Sequence, residues 1–130
     1  MKTIRLLLVD DEDHFRQTLA KRLAKWGLAS DQAADGNECL SILDKKAIDV
    51  VVLDVKMPGM SGIEVLQNIT AKYPRTEVIL LTGQANALEG VEGIKSGAFD
   101  YLMKPIELEH LFNKILQAYE KILRSDAEQQ

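Results

Sequence analysis

The sequence predicts an α/β fold, a parallel sheet wrapped by helices on both faces, and three observations carry that prediction. Short apolar runs alternate five times with segments of helical spacing. The connections are too short for antiparallel returns past a helix. The most apolar run, Val50-Val51-Val52-Leu53, has the β-branched character of a strand buried on both faces and ends before the turn-forming pair Pro58-Gly59.

The elements follow in order. Ile4 to Val9 forms a first buried strand running into the acidic cluster Asp10-Asp11-Glu12-Asp13. Phe15, Leu19, Leu23 and Trp26 then recur on one helical face, with Asp13 as the expected N-cap and Gly27 as terminator. Leu28 to Ala33 reads as a short second strand, Asp35-Gly36 as a turn, and Cys39, Leu40 and Leu43 as one face of a second helix. The Val50 run is the third strand, with Asp54 at its carboxyl end. Ser61 caps a third helix whose apolar face is Ile63, Leu66 and Ile69, and Tyr73-Pro74 ends it.

Glu77 to Leu81 is a fourth apolar run that delivers Thr82-Gly83. Residues 85 to 96 are expected to be helical but contain Gly90 and Gly93, each costing about 1 kcal/mol relative to alanine. On sequence alone this is the least stable helix, and alanine at both positions should stiffen it. Phe99 to Met103 is a short fifth strand ending at Lys104-Pro105. From Glu107, Leu108, Leu111, Phe112, Ile115, Tyr119 and Ile122 keep helical spacing. The polar stretch 124–130 is expected to fray or to begin a linker, leaving 1–123 as the domain.

At 130 residues the chain is the size of one domain, large enough to bury a core without disulfides. A net charge of −4 without clustered Lys and Arg argues against a nucleic-acid-binding surface in these residues. Cys39 is the only cysteine, which excludes an internal disulfide and a cysteine-based zinc site. The apolar start is about half the usual signal-peptide length, and no run is long enough to span a membrane. A cytoplasmic location is therefore expected. No Walker loop or GxGxxG motif is present, and His14 and His110 have no ligand partners in sequence.

In a parallel sheet all carboxyl ends share one edge, so Asp10, Asp11, Asp54, Thr82 and Lys104 can converge there. Clustered carboxylates need protonation or a bound cation, and oxygen-only ligands favour a hard divalent ion of the magnesium type. With a lysine ammonium and a threonine hydroxyl nearby, such a group suits phosphoryl transfer, in which a carboxylate can be the nucleophile.

Val9-Asp10-Asp11-Glu12, Leu53-Asp54 with Met57-Pro58-Gly59 and Ser61-Gly62, Leu81-Thr82-Gly83, and Gly97-Ala98-Phe99-Asp100-Tyr101-Leu102-Met103-Lys104-Pro105 resemble the receiver domain of two-component response regulators. The resemblance runs from about Thr3 to Ile122 with every motif in order. It implies a flavodoxin-like fold with strand order 2-1-3-4-5. It also implies that Asp54 accepts a phosphoryl group from a phosphohistidine of a sensor histidine kinase or phosphotransfer protein. Asp10, Asp11, Asp54 and the backbone carbonyl of Lys56 would hold Mg2+ or Mn2+. By the same resemblance Lys104 would pair with the phosphoryl group or carboxylate, Thr82 would hydrogen-bond the phosphate, and Tyr101 would change rotamer with Thr82. The Lys104-Pro105 bond would be cis. The face made of helix 4, strand 5 and helix 5 would carry the signal and could pair two copies as a homodimer.

Lys56 and Gln84 occupy positions that vary within the family and flank the site of water attack, so both are candidates for tuning phosphate lifetime. A haloacid-dehalogenase-like phosphatase is a rival reading, but it requires a second Asp where Lys56 stands. A degenerate receiver acting by contacts alone is another, opposed by the intact acidic pair, Asp54, Thr82 and Lys104. The expectation is a signalling switch that promotes its own phosphorylation and dephosphorylation and is not a turnover enzyme. It is either free-standing or part of a longer regulator.

Overall fold

A computed structural model describes residues 3–83 and 87–129. Strands and helices alternate as β1 (Leu6–Val9), α1 (Asp13–Lys25), β2 (Ser30–Ala33), α2 (Gly36–Lys45), β3 (Val50–Asp54), α3 (Gly62–Lys72), β4 (Glu77–Thr82), α4 (Ala87–Lys95), β5 (Asp100–Met103) and α5 (Leu108–Glu128). The five strands are parallel in the order β2-β1-β3-β4-β5.

Strand alternation divides the core into two. Leu6, Leu8, Val50, Val52, Ile79 and Leu81 face α1 and α5, against Leu19, Leu23, Leu111 and Ile115. Leu7, Val9, Val51, Leu53 and Leu80 face the other way, against Cys39 and Leu43 of α2 and Val65, Leu66 and Ile69 of α3. A strand with both faces buried needs apolar side chains at every position, which is why β1, β3 and β4 read as continuous runs. Ser61 caps α3 as expected, accepting from the Glu64 N–H at 3.3 Å, and Asp35, expected only as part of a turn, caps α2 by accepting from the Glu38 N–H at 2.8 Å.

Four expectations are corrected. Asp13 is the first residue of α1 and not its cap; Glu12 holds the cap position without a side-chain hydrogen bond, and Asp13 pairs with Arg16 at 2.9 Å. Trp26 lies past the last helical residue, where the chain turns through Gly27 (φ 92°). It therefore leaves the Leu19–Leu23 line, stays 46% exposed and meets Phe112 edge-on at 5.2 Å. The stretch from Arg124 does not fray at once, because α5 continues to Glu128. Ion pairs do there what apolar burial does elsewhere: Arg75 binds Asp126 at 2.8 Å and also the buried Asp49 at 3.0 Å, and Lys121 binds Glu77 at 3.2 Å.

The fourth correction concerns α4. Its glycines are contact positions: a methyl group at residue 90 would overlap the Tyr101 ring, and one at residue 93 would overlap the Leu80 side chain. Close approach of α4 to β4 and β5, and not weak helix propensity, accounts for them.

Candidate functional site

The carboxyl edge of the sheet is built by extending the strand ladders one step. The Asp10 N–H donates to the Ala33 carbonyl at 3.1 Å, and the Lys104 N–H to the Thr82 carbonyl at 2.7 Å. Val9 is in register with Leu53, Asp54 with Leu81 and Thr82 with Met103, so Asp10, Asp54, Thr82 and Lys104 leave their strands at nearly the same level. The Lys104-Pro105 bond is cis, as the resemblance implied.

Asp10, Asp11 and Asp54 each offer an oxygen within 4.8 Å of the others; Asp10 and Asp54 are buried and Asp11 is exposed. The Lys104 ammonium faces this group, 3.0 Å from Asp10 Oδ2, 3.8 Å from Asp54 Oδ1 and 3.7 Å from Glu12 Oε1. Burial and the neighbouring Asp10 charge push the Asp54 carboxyl up to about 6, with a smaller contribution from Asp11, against the opposing effects of Lys104 and the Lys56 N–H. Burial alone would lower Lys104, but its hydrogen bond to Asp10 and the charges of Asp54, Asp10 and Glu12 leave it raised. The ammonium thus stays charged among the acids.

Thr82 is 1% exposed, and its hydroxyl has no hydrogen-bond partner among the described residues. A buried hydroxyl left unsatisfied costs on the order of 1–3 kcal/mol, so Thr82, at the same sheet edge as the acids, carries a donor that an added oxygen could satisfy. Tyr101 is half-buried on β5 with its ring against Gly90 of α4. The Lys56 main-chain N–H points to Asp54, while its side chain is exposed and makes no ion pair among the described residues. Gln84 lies outside the described residues.

Two residues of the site were not singled out from the sequence. Arg16 is buried and donates from Nη1 to the Asp10 carbonyl at 2.6 Å and from Nε to Gln32 Oε1 at 3.0 Å, fixing α1 against the ends of β1 and β2. Its spacing of three and seven from Leu19 and Leu23 placed a charge on the apolar face, a signal that could have found it. Phe15, read only as part of that face, lies with its ring 4.3 Å from the Lys104 ammonium.

Three carboxylates without imidazole or thiolate are a donor set for a hard divalent cation, and their spacing lets one ion reach all three. Asp10, Asp11 and Asp54 are the side chains that could hold it. No helix among the described residues is long and apolar enough to cross a membrane.

The sequence matches the response regulator receiver domain family over residues 6–116. Among curated proteins it is 40% identical over 113 residues to the regulatory protein AtoC of Escherichia coli, covering 87% of this chain and 24% of that protein. It is 36% identical over 112 residues to the transcriptional regulatory protein TcrA of Mycobacterium tuberculosis, covering 86% and 44% respectively. The chain thus spans less than half the length of these relatives. Among solved structures it is similar to a response regulator receiver domain from Clostridium thermocellum (TM-score 0.87, 33% identity, 91% of this chain and 95% of that one). It is also similar to the receiver domain of NtrX from Brucella abortus (TM-score 0.85, 29% identity, 88% and 98%). With its strand order, its edge of acids and a family match over most of its length, this chain belongs to the response regulator receiver domains of two-component signal transduction.

Proposed function

We propose that Asp54 is the phosphoacceptor of a signalling switch, taking its phosphoryl group from a phosphohistidine on a sensor histidine kinase or phosphotransfer protein. The observation that carries this reading is the grouping, at one sheet edge, of three carboxylates within 4.8 Å with the Lys104 ammonium against two of them. An Asp54 carboxylate oxygen attacks phosphorus; the new O–P bond forms as the P–N bond to the donor imidazole breaks, and that electron pair stays on the ring nitrogen. Asp54 is mostly ionised at neutral pH even with its carboxyl pushed up to about 6, so it can act as the nucleophile.

Lys104 neutralises one phosphoryl oxygen, and the Thr82 hydroxyl donates to another. Asp10, Asp11, Asp54 and the Lys56 carbonyl would hold Mg2+ or Mn2+, which when bound withdraws charge from the phosphoryl oxygens. Engaging Thr82 draws its hydroxyl toward the phosphate, giving Tyr101 room to rearrange against Gly90. The outlet is the α4–β5–α5 face, where Leu88, Val91, Ile94 and Met103 are exposed and could join two copies. Lys56 and Gln84 would set phosphate lifetime, and the chain would act on itself without turning over a separate substrate.

The test is intact-mass spectrometry after acetyl phosphate and magnesium treatment. Wild type should gain one phosphoryl group and Asp54→Asn none; equal labelling of the two proteins would reject the assignment. Sedimentation with and without beryllofluoride tests pairing, and an unchanged monomer would remove the homodimer from this reading.

A further inference from the structure

We infer that Phe15 is a positioning residue for Lys104: its ring is the uncharged wall that holds the ammonium over Asp10 and Asp54. This rests on the reading that Lys104 serves the phosphoryl group. The ammonium has carboxylate oxygens at 3.0, 3.7 and 3.8 Å and the Phe15 ring at 4.3 Å, and the Lys104 side chain is only 22% exposed. A lysine head on a flexible four-carbon stem is not oriented by point charges alone, since three acids at similar distances offer it several resting places. One of those acids, Glu12, is 68% exposed, unlike the buried Asp10 and Asp54, and an ammonium drawn to it would shift toward solvent.

The negative face of an aromatic ring attracts an ammonium and, unlike a carboxylate, does not add to the repulsion among the acids. The ring is itself held in place. Phe15 lies in the first turn of α1, beside Arg16, whose hydrogen bond to the Asp10 carbonyl ties that turn to the end of β1. Phe15 also lines a groove of about 200 Å³ with Thr18, Leu19, Ile106 and Leu108 and packs, only partly buried, against the α1/α5 core, so a ring-keeping variant is needed to separate packing from the ring's effect on Lys104.

The experiment compares wild type, Phe15→Leu and Phe15→Tyr as full chains, with Lys104→Met as reference. NMR of lysine-labelled protein follows the Lys104 ε-methylene, and acetyl phosphate labelling of Asp54 gives the maximal rate and half-saturation separately. Phe15→Leu should lose the ring-current shift at Lys104 and slow maximal labelling about three- to tenfold, with half-saturation little changed. Phe15→Tyr, which keeps the ring, should restore both to within about twofold. Unchanged Lys104 resonances and rate in Phe15→Leu would overturn the proposal. So would equal slowing in Phe15→Leu and Phe15→Tyr, which would mean that only packing matters. If Lys104→Met itself labels at the wild-type rate, the underlying reading of Lys104 fails instead.

Discussion

Gly62 lies directly behind Asp54. A methyl group on Gly62 would fall 2.5 Å from the Asp54 carbonyl oxygen and 2.6 Å from the Val55 Cα, both main-chain atoms that cannot swing aside. The first residue of α3 therefore sets how the end of β3 is presented. Gly62→Ala is expected to lower stability by about 1–3 kcal/mol and to reduce Asp54 labelling, read by urea denaturation and mass spectrometry. Ser61→Ala, which removes the cap without adding bulk, should cost only about 1 kcal/mol and leave labelling near wild type.

The glycines of α4 respond in the direction opposite to their helix propensity. Alanine at residue 93 gains up to about 1 kcal/mol of propensity but overlaps the fully buried Leu80. Overpacking costs about 1–3 kcal/mol, so Gly93→Ala should destabilise the protein and speed hydrogen exchange over residues 87–95. Gly90→Ala should displace the Tyr101 ring, visible as changed Tyr101 aromatic NMR shifts.

Stability should depend on pH through Asp54. Its folded-state carboxyl is raised from the ordinary 3.8 to about 6, so folding favours the protonated form. That contribution is complete below 3.8 and is lost as pH rises through about 6. In EDTA, the stability of wild type relative to Asp54→Asn should therefore fall between those pH values, and magnesium should reverse the trend above them. Paired urea titrations across the range measure it.

Asp49 behaves the other way. Burial would raise its carboxyl, but hydrogen bonds from the Arg5 side chain and main chain and from Arg75 more than offset this and leave it lowered. Its contribution is present above the ordinary value of 3.8 and is lost as pH falls through the lower folded-state value. Asp49→Asn should cost about 1–3 kcal/mol at pH 7, with the difference from wild type shrinking in acid. Arg75→Ala should also accelerate hydrogen exchange in the last turns of α5, because it removes the pair with Asp126.

The parts of this molecule that were legible in the sequence share one property: their side chains state their own environment. The runs of β1, β3 and β4 read as buried strands because their interior positions are all apolar, and Asp10 and Asp54 stood out because each follows such a run. Arg16 was obscured because its local pair with Asp13 reads as an ordinary surface contact, while the Asp10 carbonyl and Gln32 that hold it in the buried edge do not mark themselves in the sequence. Gly90 and Gly93 looked like flaws because the groups that need their missing side chains, Tyr101 and Leu80, come from other elements. The last turns of α5 depend in the same way on Arg75, 51 residues earlier than its partner Asp126.

The bond between Lys104 and Asp10 joins residues 94 positions apart. Growth of the chain from its amino end makes all three acids before their counter-charge: fifty residues separate Asp54 from Lys104, about 3–10 s of synthesis at 5–20 residues per second. During that interval the acids have no internal cation, and the last strand alone brings it. An incomplete chain therefore holds the three acids without the ammonium that faces them, so this edge of the sheet is completed only when folding is nearly finished.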